Sequence, residues 1–454
     1  MSKDPSTISS LFKLARDIDF RQIAQLAEKV DLGELIAVVS SLDDSSLAQM
    51  KKMAKRGKGE RELPEINADF YDIAELLTEE QRDLQKRTRA FMEEKVEPVI
   101  NEYYQRDETP VELLRDGILE LGIIDALYDE GGNRRPGSSV TEGIITMEIA
   151  NVDVSTATFL GVHSGLAMGS VMLGASDEQK AEWMPKLQSM EWIGAFGLTE
   201  PYVGSAAAGG LQTTCKREGD EWVLNGQKKW IGNATFADVV IIWARDEDEG
   251  GVRGFLVRTD NPGYAVEKIM NKIALRAVEN GLVTLTECRI PESDRLQKVE
   301  SFKDTAEVLR LTRAGVAWLA VGCAMGAYEK ALEYAQTRKQ FGQAIGNFQL
   351  IQRLLVEMLG NVTALQSMCL RLSQLQDAGR MGDEHASLAK VFCAARCRDT
   401  VAMARELFGG NGILLDHHVA RYFADAEAIY SYEGTNEINT LIVGRAVTGF
   451  GAFV

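Results

Sequence analysis

A single carboxylate near the end of the chain, Glu433, lies in the sequence Tyr432-Glu433-Gly434-Thr435. Burial in an apolar cleft disfavours the charged form of a carboxylate, which raises its pKa and makes it a stronger base. Glu433 could therefore remove a proton from a carbon acid. A surface glutamate that caps a helix is the alternative, and the spacing alone does not decide between the two.

Three further motifs precede this one in a fixed order and suit a ligand with phosphates and a flat ring. Thr199-Glu200-Pro201 with Gly204-Ser205 offers backbone donors, a hydroxyl and close backbone approach to a phosphate. Trp230-Ile231-Gly232-Asn233 offers an aromatic ring that could lie along a flavin, and Arg338 with Phe341-Gly342 offers a guanidinium for a pyrophosphate. Taken singly, the first motif is better explained by a turn, Trp230 is equally well explained by core packing, and Arg338 has a solvated helix-end cation as its alternative.

The composition indicates an acidic globular protein of two or three domains. The chain has 454 residues, 45% of them hydrophobic, with a formal net charge of -17. Nucleic-acid binding needs clustered Lys and Arg, so we expect no nucleic-acid partner. Six cysteines without a paired spacing favour a reducing compartment, and four scattered histidines predict no metal site.

No segment of the sequence predicts export or a membrane span. The first ten residues are polar and include Asp4, and the last four residues are not a peroxisomal tag. Residues 154–176 are uncharged, but repeated Gly, Ser and Thr and His163 favour a buried helical hairpin or a buried helix over a transmembrane segment. We therefore expect a cytoplasmic protein.

The apolar periodicity divides the chain into four parts. Residues 1–65 predict a helical N-terminal extension with a charged linker, which either docks on a partner or packs on its own body, the second being favoured. Residues 66–191 predict an α domain, residues 192–300 a β domain, and residues 301–454 a bundle of long helices. The predicted fold class is mainly α with a central β domain.

Local signals predict where several of these elements begin, bend and end. Thr78 with Gln81 forms a capping-box pattern at a helix start, and Pro98 predicts a kink in that helix. Asn225-Gly226 between two apolar runs predicts a type I′ hairpin. Gly409-Gly410 predicts the end of a long helix.

No GxGxxG follows a strand, so a flavin would not be held by the Rossmann device. The four motifs together, from about residue 78 onwards, resemble the acyl-CoA dehydrogenase and oxidase superfamily. The resemblance implies an N-terminal helical domain, a β-barrel-like middle domain and a C-terminal four-helix bundle. It also implies FAD bound between the subunits of a homotetramer that is a dimer of dimers.

The resemblance assigns roles to individual residues. Glu433 matches the catalytic base, and Ser205, Arg313 and Gly434 match positions that bind substrate. Arg338, Phe341, Gln349 and residues 406–410 match positions that reach the FAD of a neighbouring subunit. The complete set of implied FAD-binding residues is Phe196, Leu198, Thr199, Gly204, Ser205, Trp230, Ile231, Gly232, Arg338, Phe341, Gln349, Glu406, Gly409, Gly410, Thr435 and Glu437.

Within the superfamily, the sequence is most similar to plant-type short-chain acyl-CoA oxidases and glutaryl-CoA dehydrogenases, with three departures. Ala157 stands where glutaryl-CoA enzymes carry an arginine for the distal carboxylate, so a simple acyl chain is favoured over a dicarboxylyl substrate. Gly232 stands where most dehydrogenases have a threonine near flavin N5. Ala206 stands where an aspartate commonly follows the serine.

The resemblance implies α,β-dehydrogenation of an acyl-CoA thioester to a trans-2-enoyl-CoA. In it Glu433 removes the α-proton and the β-hydrogen leaves as hydride to flavin N5. Electrons would pass to an electron-transfer flavoprotein or, in an oxidase, to oxygen. The lack of a peroxisomal tag favours the dehydrogenase, and a non-catalytic flavin-fold scaffold is a third hypothesis.

Overall fold

The structure is a computed structural model that describes residues 63–451. The chain divides into two units, Met1–Glu65 and Ile66–Val454. The predicted N-terminal extension, apart from its last three residues, lies outside the described residues. The second unit is mainly helical with a central curled sheet, so the predicted fold class is confirmed.

Eight α-helices lie between residue 63 and the sheet. A short 3₁₀ turn, Ile73–Leu76, precedes them, and Thr78 and Gln81 form the predicted capping box, in which the Thr78 amide donates to Gln81 Oε1 at 3.0 Å. The helices are α1 (Glu79–Phe91), α2 (Glu97–Arg106), α3 (Val111–Leu121), α4 (Ile123–Leu127), α5 (Ser138–Val152), α6 (Val154–Leu160), α7 (Met168–Gly174) and α8 (Asp177–Gln188).

Two π-helical segments connect pairs of these helices. Met92–Val96 joins α1 to α2, and Gly161–Ala167 joins α6 to α7. The kink predicted at Pro98 is therefore an irregularity one turn earlier. Pro98 itself is the second residue of α2, directly after the π-helical segment.

The central domain is a seven-stranded sheet, mostly antiparallel, in which β1 and β2 pair parallel with β4. The order is β1-β4-β2-β3-β7-β6, and β5 pairs with β4; a short helix, α9 (Ala207–Gly210), follows β1. The strands are β1 (Gly194–Gly197), β2 (Thr214–Glu218), β3 (Glu221–Ile231), β4 (Val239–Asp246), β5 (Val252–Arg258), β6 (Tyr264–Lys268) and β7 (Gly281–Pro291).

The hairpin predicted at Asn225-Gly226 is wrong. These residues lie inside the single strand β3, at an irregularity in its pairing with β7. The Asn225 side chain donates to Glu287 Oε1 at 2.9 Å and accepts from the Glu287 amide at 2.8 Å, so cross-strand contacts replace the turn. Gly226 is needed for close approach, since a Cβ there would lie 2.6 Å from the Cα of Thr213.

Long helices return after the sheet and pack against one another as a bundle. A small hairpin, β8 (Lys339–Gln340) and β9 (Gln343–Ala344), follows the first of them. Gly409, with φ 59°, lies just past the third, as predicted for a helix end. The helices are α10 (Phe302–Thr337), α11 (Gln349–Asp377), α12 (Asp383–Leu407), α13 (Val419–Ser431) and α14 (Asn436–Thr448).

Glycines let α10 pack closely against α5. A Cβ on Gly326 would lie 2.0 Å from the carbonyl oxygen of Asn151, and one on Gly322 would lie 2.3 Å from that of Met147. No real side chain fits at such distances, so the two backbones are in direct contact. This contact fixes the position of α10 in the core.

A buried carboxylate joins the C-terminal bundle, the sheet domain and the N-terminal helices. Asp425 on α13 accepts hydrogen bonds from the Leu275 amide at 2.6 Å and from the Tyr104 hydroxyl at 3.2 Å. Leu275 belongs to the sheet domain and Tyr104 to α2. Burial, reinforced by the charge of Asp153, raises the pKa of Asp425 to about 7.

Two helical stretches are long and apolar enough to cross a membrane, Val154–Gly174 and Phe302–Thr337. Their apolar windows are 61% and 67% buried inside the protein. Core helices of soluble proteins pass the same test of length and composition, so these stretches are weak evidence for a span. Of the two structures predicted for this region, a buried helical hairpin or a buried helix, Val154–Gly174 is the buried helix.

Candidate active site

Glu433 lies in a tight turn between α13 and α14. Its φ is 54° and that of Gly434 is 85°, so two successive residues adopt left-handed backbone conformations. For a residue with a side chain this conformation costs roughly 1–2 kcal/mol, and such strain concentrates at functional sites. Thr435 then caps α14, because its hydroxyl accepts from the Ile438 amide at 3.3 Å.

The Glu433 carboxylate faces α10 and α12. Its Oε2 atom accepts a hydrogen bond from the Thr312 hydroxyl at 3.2 Å. Burial raises the pKa of Glu433, while the charge of Arg313, the Thr312 hydrogen bond and the charge of Lys390 oppose the rise. The net pKa is above the ordinary value, as expected of a general base.

Arg313 lies beside this carboxylate. Its Nη1 atom is 3.7 Å from Asp383 Oδ1, and its side chain is 12% exposed. Its Nε atom is buried without a hydrogen-bond partner among the described residues. A buried donor without a partner is unfavourable, so this atom suits a polar group of a ligand.

The helical stretch Val154–Gly174 lies between the Glu433 turn and the Trp230 motif. Its residue Thr158 faces the buried hydroxyl of Tyr432, which is next to Glu433 in the sequence. Four residues later, Val162 lies against Gly232, where an added Cβ would be 3.2 Å from its Cγ2 atom. A side chain at position 232 would therefore require Val162 to move by a few tenths of an ångström.

The first two motifs lie side by side in the sheet domain. Phe196 and Leu198 are buried, and the Thr199 carbonyl accepts from the Lys229 amide, next to Trp230, at 2.8 Å. In the loop that follows, Gly204 and Ser205 are exposed, and Gly204 has no atom within 4 Å of an added Cβ. The loop has open space where a phosphate could approach the backbone.

A buried ion pair holds this loop to β3. Lys228 Nζ donates to Glu200 Oε1 at 2.8 Å and to the Leu198 carbonyl at 3.1 Å. Glu200 also accepts from the Thr213 amide at 2.9 Å and from the Gln212 amide at 2.7 Å. Burial lowers the pKa of Lys228 to about 8, against the attraction of Glu200.

Trp230 presents its indole at the surface of the sheet domain. The side chain is 52% exposed although Ile231 and Gly232 are buried, and the residue has a φ of 67°. The Asn280 amide group donates to the Trp230 carbonyl at 3.3 Å, which fixes this bend. An exposed flat ring offers a surface on which another flat ring could stack.

Six of the remaining predicted FAD contacts form a separate group at one end of the bundle, while Thr435 and Glu437 lie shortly after Glu433 in the sequence. The Tyr334 and Phe408 rings stack at 4.1 Å and bring the end of α10 next to the end of α12. Phe341 is 92% exposed. No hydrogen bond, ion pair or ring contact between residues 63 and 451 joins this group to Glu433. The exposed members of the group are Arg338, Phe341, Gln349, Glu406, Gly409 and Gly410.

The structure adds three polar residues that the sequence motifs do not include: Thr312, Lys390 and Lys228. Thr312 adjoins Arg313 in sequence, which is a usable signal. Lys228 occupies an inward-facing position of a strand, where lysine is unusual. Lys390 is a buried lysine within a helix, and nothing in its local sequence distinguishes it from a surface lysine.

Three family models match the chain in succession. The model for the acyl-CoA dehydrogenase N-terminal domain matches residues 78–191, that for the middle domain residues 195–288, and that for the C-terminal domain residues 302–448. These ranges contain Glu433 and the residues of all four sequence motifs.

Individual proteins with similar sequences or structures cover the same region. An acyl-CoA dehydrogenase of Bacillus subtilis is 31% identical, over 82% of this chain and 99% of its own. A caffeyl-CoA reductase-Etf complex subunit of Acetobacterium woodii is 28% identical, over 81% and 97%. The structure of a glutaryl-CoA dehydrogenase from Mycobacterium smegmatis in complex with FADH2 is similar with a TM-score of 0.81 and 32% identity, over 86% of this chain and 100% of that one.

We expect Lys228→Met to destabilise the protein, because the Glu200 carboxylate is then buried without its counter-charge. Breaking a buried pair in this way lowers the free energy of unfolding by about 3–5 kcal/mol. Urea denaturation followed by tryptophan fluorescence measures the loss. The double variant K228M/E200Q should recover part of it, since the unpaired charge is gone.

A matched control is Lys298→Met, which removes the exposed pair with Asp177. That pair is accessible to solvent and should contribute little. If K228M loses no more stability than this control, the buried pair does not hold the loop.

Proposed function

Because the chain belongs to the acyl-CoA dehydrogenase family, we propose that it catalyses the α,β-dehydrogenation of an acyl-CoA thioester to a trans-2-enoyl-CoA, with Glu433 as the base. FAD is the cofactor of this family, and when bound it supplies the ring that accepts the hydride. The observation that carries the proposal is the placement of the Glu433 carboxylate, which accepts a hydrogen bond from Thr312 at 3.2 Å and lies near the charges of Arg313 and Lys390.

The surroundings of Glu433 suit proton abstraction. Thr312 donates to the Oε2 atom, so we assign Oε1 to the α-proton of the substrate. The raised pKa makes the carboxylate a stronger base, and the opposing charges of Arg313 and Lys390 keep its ionised form accessible. We assign Arg313, with its unpartnered buried Nε, to the thioester or CoA portion of the substrate, together with Ser205 and Gly434.

For FAD we assign the two groups described above. The sheet domain contributes a loop and an indole to one cofactor, and the exposed end of the bundle serves the cofactor of a neighbouring subunit. The proposed residues are Phe196, Leu198, Thr199, Gly204, Ser205, Trp230, Ile231 and Gly232 in the first group, Arg338, Phe341, Gln349, Glu406, Gly409 and Gly410 in the second, and Thr435 and Glu437 next to the base.

The side chain at position 157 supports a simple acyl chain as substrate. Ala157 is 2% exposed, in the helix that also carries Thr158. An uncharged, buried residue offers no counter-charge to a distal carboxylate, whose burial without a partner is unfavourable. We propose a simple acyl chain without a distal carboxylate.

For the electron acceptor we propose an electron-transfer flavoprotein. One relative is a subunit of a reductase-Etf complex, and the enzymes compared above are dehydrogenases and reductases. The alternative is an oxidase, since Gly232 lacks the hydroxyl that most dehydrogenases place near flavin N5. A scaffold without activity is disfavoured by the partly buried Glu433 and its polar neighbours.

A homotetramer is our proposal for the assembly, and apolar side chains on α11 and α12 support it. Leu350 and Val356 on α11 are 74% and 69% exposed, and Leu388 on α12 is 48% exposed. Exposed apolar residues on a helical bundle are typical of subunit contacts. We expect a mass in solution four times that of the 50.0 kDa chain, and sedimentation equilibrium giving the mass of one chain contradicts the proposal.

A cytoplasmic location stays a prediction.

Glu433→Gln tests the base. We expect the purified variant to keep its FAD absorbance, while the rate of flavin bleaching by butyryl-CoA under nitrogen falls by about 10²–10⁴-fold, because an amide cannot accept the proton. Stopped-flow absorbance measures the rate. Glu427→Gln is the control, since Glu427 pairs with Arg398 on the surface of α13. Full bleaching by E433Q would overturn the assignment.

The ratio of hydrogen peroxide to enoyl-CoA tests the electron acceptor. For a dehydrogenase we expect a ratio near zero in air, together with rapid reduction of an added electron-transfer flavoprotein. A peroxide assay coupled to enoyl-CoA quantification by liquid chromatography gives the ratio. One peroxide per enoyl-CoA, with no transfer to the flavoprotein, would establish the oxidase instead.

A further inference from the structure

Lys390 is a fully buried lysine in the middle of α12, next to the turn that carries Glu433. Its Nζ atom donates to the Tyr430 carbonyl at 2.8 Å and to the Gly434 carbonyl at 2.9 Å. These two residues lie on either side of Glu433 in the sequence. One ammonium group therefore bridges the turn from end to end.

Both carbonyls need such a donor. Tyr430 is in the last turn of α13, where carbonyls have no partner within the helix and the helix dipole favours a cation. The Gly434 carbonyl lies just before the Thr435 cap of α14, and the Asn439 side chain also donates to it, at 2.8 Å. Lys390 thus connects the end of one helix to the start of the next.

The turn also needs external support because of its backbone conformation. Glu433 and Gly434 both have positive φ, and a strained conformation persists only where its surroundings enforce it. From these contacts we infer that Lys390 is a positioning residue that holds the strained Glu433 turn and directs its carboxylate to the substrate. This inference rests on the proposed role of Glu433 as the base.

The charge of Lys390 supports the same role. Burial lowers its pKa to about 8, while Glu433 and Glu437 raise it and Arg313 lowers it further. In return, the ammonium lowers the pKa of Glu433, together with Arg313 on α10 and the Thr312 hydrogen bond. Removing the ammonium should therefore move the pKa of Glu433 upward.

Lys390→Met removes the ammonium and keeps an unbranched side chain. We expect hydrogen exchange of the protected Tyr432 and Asn439 amides, followed by mass spectrometry, to be at least about tenfold faster, because two hydrogen bonds to a charged donor are lost. With butyryl-CoA under nitrogen, the rate of flavin reduction should fall by about 10²-fold through misplacement of the base. In the pH profile of this rate, the midpoint of the acid limb should shift to higher pH, because the ammonium that lowers the pKa of Glu433 is gone.

Two further variants complete the test. Lys330→Met removes a lysine that pairs with Glu97, outside the turn, and should leave exchange, rate and midpoint unchanged. Lys390→Arg keeps the charge, so the pH midpoint of flavin reduction should equal that of the wild type even if the rate stays low. If K390M does not fold, hydrogen exchange is measured on K390R instead. We then expect faster exchange of the Tyr432 and Asn439 amides, since a larger planar group cannot reproduce both hydrogen bonds to the carbonyls.

The readouts separate the two proposals. The inference is overturned if hydrogen exchange of the turn is unchanged in K390M, or in K390R if only that variant folds. It is also overturned if K390M reduces flavin with the wild-type rate and the wild-type pH midpoint while E433Q is inactive. Faster exchange with an acyl-CoA that never reduces the wild-type flavin overturns the proposed function and leaves the support of the turn by Lys390 established.

Discussion

Burial of the Glu433 carboxylate, balanced by nearby positive charge, is the constraint that the surrounding helices must satisfy. Too little burial leaves an ordinary weak base, and burial without compensation leaves the group protonated. Two elements provide the balance. Thr312 and Arg313 come from α10, and Lys390 comes from α12. The position of the proposed base therefore depends on where these two helices lie relative to the turn.

The position of α10 depends in turn on its packing against the N-terminal helices. Gly322 and Gly326 allow its backbone to touch that of α5, and no side chain fits between them. Direct backbone contact leaves little freedom to slide, since protein interiors are densely packed. Thr312 and Arg313 lie on the same helix, so the packing fixes where they meet Glu433.

The sheet domain positions the second half of the site by different means. The Glu200–Lys228 pair ties the loop after β1 to β3, and that strand continues to Trp230. A single helical segment then lies between the halves, with Thr158 beside Tyr432 and Val162 beside Gly232. Rigid elements on both sides suit a reaction in which substrate and cofactor must be held in one geometry.

The sequence by itself determined those features of the fold that depend only on residues close together in the chain. The capping box at Thr78 and the helix end at Gly409 follow from local backbone preferences, and the order of the four motifs identified Glu433 as a candidate base. Only the tertiary structure decided those features that depend on residues far apart in the chain. Pairing of β3 with β2 and β7 overrides the turn preference of Asn225-Gly226, and Lys390 becomes a support for Glu433 only because folding buries it between two helix ends.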